Sequence, residues 1–456
     1  MNGATADNQK GETAVSTSES TVAIHHSALF PDDSMKFLEG LSKFHFSEFD
    51  RTKFVQSNLV SDAQAGHLAA SIQDPNLINP WGVAFSPTGP FWVANNHTGT
   101  ATVYQVDPKT NTPTKLGLVV TIATPSGQTT PASPTGVVFN NSHGFVIDGA
   151  PASFIFDTED GTLSAWNSNA GTQSVLAVDN SADPAHGDPN VPPDEGIGAV
   201  YKGLAIGQDE GKDMLYATNF RHGTVDLFND KFQQVGSFTD SSLPAGYAPF
   251  NAQVLDHHVF VTFAVQDQFK HDDVSGAGHG FVDEFDMDGH LISRVASNGP
   301  LNSPWGLAIA PHDFGKFAGD LLVGNFGDGT INAFDLKTDM FVGTLRGADG
   351  KPIMIGDLWT IKPGNNGTAG SEGSIFFTAG VQGEAQGVFG SLTAIPDSDR
   401  FAVSNLGFSR YSRLRRCRRR HGGRLPPGQP EWRDWARQTR LEAQCSATPA
   451  QCAYAA

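Results

Sequence analysis

The chain has 456 residues and a formal net charge of −18, which argues against nucleic acid and anionic membrane surfaces as partners. No run approaches the ~18 apolar residues of a membrane span, and no charged start followed by an apolar stretch marks a secretory signal. All three cysteines lie beyond residue 408, so disulfides and Cys-based zinc sites are excluded from the rest of the chain.

Residues 1–50 form a polar N-terminal extension. Within it, Met35–Phe44 reads MKFLEGLSKF, a pattern that predicts a short amphipathic helix docked on the following domain. We expect the remainder of this extension to be disordered.

Residues 51–396 contain an internal repeat. Its first landmark is an apolar strand with a central glycine, as in Pro80–Phe85 (PWGVAF) and Pro304–Ile309 (PWGLAI). The equivalent key positions are 82, 136, 203, 251, 306 and 360, with Asn251 in a degenerate copy and Thr360 in the last one. Between the strands of four units lies a second landmark, N-x-x-x-G-T or its Asp variant, which begins at Asn95, Asp157, Asn219 and Asn325.

Six units of about 50 residues with period-two alternation predict an all-β, six-bladed β-propeller. The strand-like segment 52–61 precedes the first unit, and we expect it to pair with the last blade and close the ring. The landmark glycines fit a crowded axis and positive-φ turns, and the Asn or Asp residues fit turn hydrogen bonds.

Residues 397–456 form an irregular tail. Residues 409–456 hold 11 of the 30 basic residues, all arginine. One interpretation is a basic arm for nucleic acid or acidic surfaces, and the other, which we favour, is a reading-frame slip. Either interpretation predicts disorder.

Candidate metal ligands occur where units depart from the repeat. Unit four inserts a loop containing His271, Asp272 and Asp273, and unit six places Glu384 in its hairpin. Carboxylates suit Ca²⁺, and carboxylates with imidazoles suit Zn²⁺ or Mn²⁺. The alternative is a solvated acidic turn whose glycines permit tight bends.

Trp81, Trp305 and Trp359 recur at equivalent positions in three units. Packing residues are the simpler interpretation. If the rings line the channel mouth instead, they offer a ligand-binding platform for sugar rings.

The repeats resemble NHL-type repeats and gluconolactonase/regucalcin-like propellers. More specifically, residues 52–395 resemble an uncharacterised bacterial propeller family. The stretches that carry this resemblance are NLVSD (58–62), NPWGVAFSP (79–87), KHDDVSGAG (270–278), LNSPWGLAIAP (301–311), LLVGNFGDGTINAFD (321–335) and FFTAG (376–380). The resemblance implies the propeller fold and a secreted or envelope-associated location, whereas this chain shows no signal peptide.

We expect a monomeric, non-catalytic propeller that binds a protein or glycan ligand through one face, with no certain cofactor. The alternative is a divalent-metal-dependent hydrolase of the lactonase type, in which Ca²⁺ or a similar ion acts as Lewis acid. This alternative rests on fold analogy. Its candidate ligands are Asn95, Asn219, Asn325, His271, Asp272, Asp273 and Glu384.

Overall fold

The computed structural model describes residues 52–63, 69–182 and 197–395. Across these residues the secondary structure is almost entirely β, with three short 3-10 helices at Asn96–Thr98, Ser168–Ala170 and Gly315–Phe317. No helix among the described residues has the length and apolar character of a membrane span. The predicted amphipathic helix at 35–44 and the Arg-rich tail lie outside the described residues.

Six sheets of mainly antiparallel strands form the blades of the predicted propeller, and they follow one another along the chain. Before blade 1 come β1 (Lys53–Ser61) and β2 (Ile72–Gln73). Blade 1 contains β3 (Pro80–Ala84), β4 (Phe91–Asn95), β5 (Thr100–Val106) and β6 (Pro113–Thr121). Blade 2 contains β7 (Pro134–Phe139), then a small hairpin of β8 (Val146–Ile147) and β9 (Ala150–Pro151), then β10 (Phe154–Thr158), β11 (Thr162–Trp166) and β12 (Val175–Asp179).

The remaining blades repeat this order. Blade 3 contains β13 (Tyr201–Asp209), β14 (Lys212–Asn219), β15 (Thr224–Asn229) and β16 (Gln234–Phe238). Blade 4 contains β17 (Tyr247–Leu255), β18 (His258–Val265), β19 (Phe281–Phe285) and β20 (Leu291–Ser297). Blade 5 contains β21 (Pro304–Ile309), β22 (Leu321–Asn325), β23 (Ile331–Asp335) and β24 (Met340–Thr344), followed by β25 (Arg346–Gly347). Blade 6 contains β26 (Leu358–Pro363), β27 (Ser374–Ala379) and β28 (Val388–Ala394).

The ring is closed by the N-terminal strand, as predicted. β1 pairs antiparallel with β28, from Phe54 opposite Ala394 to Ser61 opposite Val388. The Phe54 ring packs 4.8 Å from the ring of Phe314, which belongs to the neighbouring blade 5. Closure therefore joins two distant parts of the chain by a strand ladder and by a buried aromatic contact. The strands run from Lys53 to Ala394, and the domain limits at 51 and 396 stay a prediction.

The inner strands β3, β7, β13, β17, β21 and β26 lie at the ends of their sheets, around the axis. The landmark glycines of four of these strands, Gly82, Gly136, Gly203 and Gly306, allow the close approach of neighbouring blades. A Cβ atom on Gly82 would lie 2.5 Å from the Thr135 carbonyl oxygen, and one on Gly136 would lie 2.5 Å from the Leu204 nitrogen. The turn glycines have φ angles of 64° at Gly99 and 71° at Gly329, so both sequence-based explanations of the glycines are confirmed.

We expect Gly82→Ala to lower the free energy of unfolding by about 1–3 kcal/mol, because the added methyl group meets backbone atoms that cannot rotate away. The matched control is Gly117→Ala in β6, where an added Cβ has no atom within 4 Å. Urea denaturation of both variants measures the difference. Equal stability of the two variants would contradict this account of the crowded axis.

Candidate functional site

The hairpin face of the propeller is the face where inner strands begin and where second and third strands connect. The ladders establish this arrangement, because Pro80 pairs with Asn95, Tyr201 with Asn219, and Pro304 with Asn325. Residues of the repeated turns from different blades therefore surround the same end of the channel.

Asn95, Asn219 and Asn325 are completely buried, each in the hairpin of its own blade. Asn95 donates to the Thr102 hydroxyl at 3.0 Å, and Asn325 donates to the Pro300 carbonyl at 2.8 Å. Asn219 accepts from the backbone nitrogen of His222 at 3.2 Å. Their side chains hydrogen-bond to neighbouring turn and strand groups, and a metal-binding role for them stays a prediction. The Oδ1 atom of Asn95 lacks a hydrogen-bond partner among the described residues.

An aromatic plug closes the channel beneath the hairpin face. In four inner strands the residue directly before the key position is aromatic and belongs to the plug: Trp81, Phe250, Trp305 and Trp359. Phe220 and Phe326 from the hairpins complete it. The rings of Trp81 and Trp359 stack with centroids 3.4 Å apart, and the three tryptophans are only 1–4% exposed. Their burial shows a packing role, and sugar binding by these rings stays a prediction.

Blades 2 and 3 do not contribute an aromatic residue to the plug at this position. The position occupied by an aromatic residue in the other four blades is Thr135 in blade 2 and Lys202 in blade 3. Lys202 is 2% exposed, and its Nζ lies 5.4 Å from the centroid of the Trp81 ring. A positive charge therefore lies beside the plug on its hairpin side.

The Lys202 ammonium is held by carboxylates of the two neighbouring blades. It donates to Oε1 of Glu159 from the blade 2 hairpin and, at 3.1 Å, to Oδ1 of Asp272 from the inserted loop of blade 4. Nδ1 of His271 lies 2.9 Å from the same Asp272 oxygen. We call Glu159, Lys202, His271 and Asp272 the mouth cluster.

Charge pairing fixes the ionisation of the mouth cluster. Burial alone would lower the pKa of Lys202 and raise the pKa of Glu159, but their mutual attraction reverses both shifts. For Asp272, burial is likewise outweighed by the His271 hydrogen bond and the Lys202 charge, which hold its pKa well below the ordinary range. These three groups are therefore charged at neutral pH.

Glu384 joins the mouth cluster through an amide network. Asn79 donates to Oε2 of Glu384 at 2.6 Å, and Asn96 donates to Oε2 of Glu159 at 2.8 Å. The two amides lie 3.5 Å apart, which links blades 6, 1 and 2. Glu384 has a left-handed backbone with φ of 64°, and burial, with the Glu159 charge, raises the pKa of Glu384 to about 7.

Two of the predicted metal ligands belong to the mouth cluster. His271 and Asp272 come together with Glu159, and their candidate ligand atoms lie within 4.8 Å of one another. Asp273 accepts from the Ser275 hydroxyl at 3.0 Å, and burial raises its pKa. The donor set of Glu159, His271 and Asp272 suits a divalent cation, but the Lys202 ammonium already bonds to both carboxylates.

Sequence reasoning missed Glu159, Lys202 and Asn79. The signal for Lys202 was present, because a lysine replaces an aromatic residue at a repeated position. Glu159 lies inside the Asp variant of the hairpin, DTEDGT (157–162), where it looks like an ordinary turn residue. Its importance follows only from its contact with Lys202.

Two proteins of Acanthamoeba polyphaga mimivirus match most of this chain. The uncharacterized protein R648 is 30% identical over 334 residues, which cover 71% of this chain and 76% of the viral protein. The uncharacterized protein L690 is 30% identical over 330 residues, which cover 70% and 81%. The chain therefore belongs to the same family as these two proteins. Their viral origin gives no support to the bacterial family implied by the sequence resemblance.

No family model matches the chain. Among solved structures, a streptogramin B lyase covers 75% of this chain and 98% of its own length, with 11% identity and a TM-score of 0.38. The WD40 β-propeller domain of Doa1 covers 69% and 93%, with 10% identity and a TM-score of 0.40.

We expect stability to fall as pH rises from about 4.5 to about 7, because Glu384 binds its proton more tightly in the folded state than in the unfolded chain. Glu384→Gln should remove up to about 3 kcal/mol of this pH dependence, at about 1.36 kcal/mol per pKa unit. Urea denaturation of both proteins at several pH values measures the effect. Parallel stability curves for both proteins would contradict the raised pKa.

Proposed function

We propose that this protein is a non-catalytic binding propeller whose mouth cluster takes a neutral, hydroxyl-rich ligand such as a glycan. This proposal rests on one observation: residues that break the repeat in three different blades lie together. Glu159 from a blade 2 hairpin, Lys202 in place of a plug aromatic, and the inserted pair His271–Asp272 meet at one point.

Stability alone gives little reason for this convergence. A buried ion pair seldom stabilises a fold more than well-packed apolar residues would, and four blades fill the Lys202 position with aromatic rings. Residues that break the sequence pattern of a fold without stabilising it tend to mark functional sites. The mouth cluster is therefore a better candidate for ligand recognition than the repeated asparagines.

The chemistry of the mouth cluster suits hydroxyl groups. A hydroxyl donates to a carboxylate and accepts from an ammonium, and the cluster presents both within one hydrogen-bonded group. A neutral ligand is also not repelled by the net charge of −18. The amides of Asn79 and Asn96 extend this polar surface toward Glu384.

The pKa shifts favour binding over acid–base catalysis. A general acid or base works best with a pKa near the operating pH. Pairing moves the pKa values of Glu159, Lys202 and Asp272 away from neutrality. Secretion, envelope association and the monomeric state are further parts of this proposal, and they rest on the sequence resemblance and on expectation.

The second candidate is the divalent-metal-dependent hydrolase. It is favoured by the clustered ligand atoms of Glu159, His271 and Asp272, and by Glu384, whose pKa near 7 suits a general base. The Lys202 ammonium opposes it, because a divalent ion bound there would face an adjacent positive charge.

We expect thermal-shift measurements with mono- and oligosaccharides to identify ligands that raise the melting temperature of the wild-type protein. At 100 times its Kd, a ligand stabilises by about 2.7 kcal/mol. Lys202→Met should abolish this gain. The matched control is Lys115→Met, which removes a remote ion pair with the buried Asp74. If a sugar raises the melting temperature of Lys202→Met as much as that of wild type, it binds outside the mouth cluster.

Divalent ions distinguish the two candidate functions. We expect Ca²⁺ and Mn²⁺ to leave the wild-type melting temperature unchanged relative to EDTA, and to raise that of Lys202→Met, because the variant frees both carboxylates. Metal analysis of each purified protein provides an independent measurement. If wild type is stabilised by Ca²⁺ or Mn²⁺ and Asp272→Asn loses the effect, the hydrolase replaces the binding propeller.

A further inference from the structure

A second site lies inside the channel, on the other side of the aromatic plug. A cavity there is lined by residues from the inner strands of all six blades, including Gly82, Gly136, Leu204, Gln253, Trp305 and Lys362. The volume of the cavity, about 20 Å³, exceeds the ~10–15 Å³ that one water molecule requires. The cavity therefore has room for a single small species.

Lys362 is the one charged residue among those that line this cavity. The buried Lys202 pairs with Glu159, and the half-buried Lys115 pairs with Asp74. Lys362 has no carboxylate within ion-pairing distance in the described part of the chain. Its Nζ lies instead 5.6 Å from the centroid of the Phe85 ring.

The charge of Lys362 is therefore uncompensated. Burial lowers its pKa to about 8, and no charged group contributes to this shift. A group with this pKa remains mostly protonated at pH 7, so Lys362 carries a positive charge that no carboxylate of the described residues balances. Lys362 is half-buried, so its ammonium loses part of its hydration, and a bound counter-ion offsets this loss.

The cavity also offers uncharged donors. The Gln253 side chain lines it and makes no hydrogen bond to the other described residues. The inner strands are end strands of their sheets, so one edge of each presents backbone groups toward the axis. Asn251 and Thr360, by contrast, already donate to the carbonyls of Trp305 and Trp81.

We propose that the channel binds one small monovalent anion, of the size of formate or chloride, at Lys362. The anion pairs with the ammonium and accepts hydrogen bonds from the neighbouring donors. This site is separate from the mouth cluster, and the plug with Trp305 and Trp359 lies between them. The proposal therefore does not depend on the function of the hairpin face.

Competitive acetylation of lysines, read by mass spectrometry, tests the proposal in the full-length protein. The probe is sodium formate, compared with sodium gluconate at equal ionic strength because gluconate is too large for the cavity. We expect formate to slow labelling of Lys362 at pH 8 by about threefold or more, since pairing raises its pKa and each unit lowers the unprotonated fraction up to tenfold. The exposed Lys109 should label equally in both salts.

Thermal unfolding gives a second measurement at pH 7. Formate should raise the melting temperature of wild type above its value in gluconate, and the increase should persist in Lys362→Arg and vanish in Lys362→Met. An equal increase in Lys362→Met overturns the proposal, as does a wild-type protein in which formate changes neither labelling nor melting. If Lys362→Met does not fold, the labelling of wild type decides alone.

Discussion

The close approach of six inner strands around one axis is the constraint on which the rest of the structure depends. At the glycine key positions the strands pass so tightly that a Cβ on Gly306 would lie 2.6 Å from the Trp359 carbonyl oxygen. In four blades only glycine satisfies this packing without moving the backbone, whereas Asn251 and Thr360 occupy the key position of the other two and donate to backbone carbonyls of the next blade. The residue next to each key position then lies where side chains of all six blades meet, and its identity decides what the channel end contains.

Four blades place aromatic rings at that position, and the result is a buried plug that makes the two ends of the channel separate environments. Aromatic pairs in edge-to-face and stacked arrangements contribute about 0.5–1.5 kcal/mol beyond the area that they bury. Blade 3 substitutes Lys202, whose charge is maintained because two neighbouring blades supply carboxylates. The same position around the axis therefore holds a buried aromatic residue in four blades, Thr135 in blade 2 and the charged Lys202 in blade 3.

Much of the fold follows from the pattern of the sequence. The repeated key positions give the number of blades, the period-two alternation gives strands, and the segment 52–61 indicates closure before the ladder to β28 is seen. The candidate site was less predictable. His271 and Asp272 were identified because they interrupt the repeat, whereas Asn95, Asn219 and Asn325 were candidates because they repeat, and in the structure they are buried.

The sequence by itself determined the architecture, because blade number and closure depend on periodicity, which is a local and cumulative property of the chain. Only the tertiary structure decided which charges meet. Glu159 and Lys202 are 43 residues apart, and Lys202 and Asp272 are 70 residues apart, and no periodic rule links residue types across such separations. Their pairing, and the solitary charge of Lys362, arise from the ring closure that brings distant blades to a common axis.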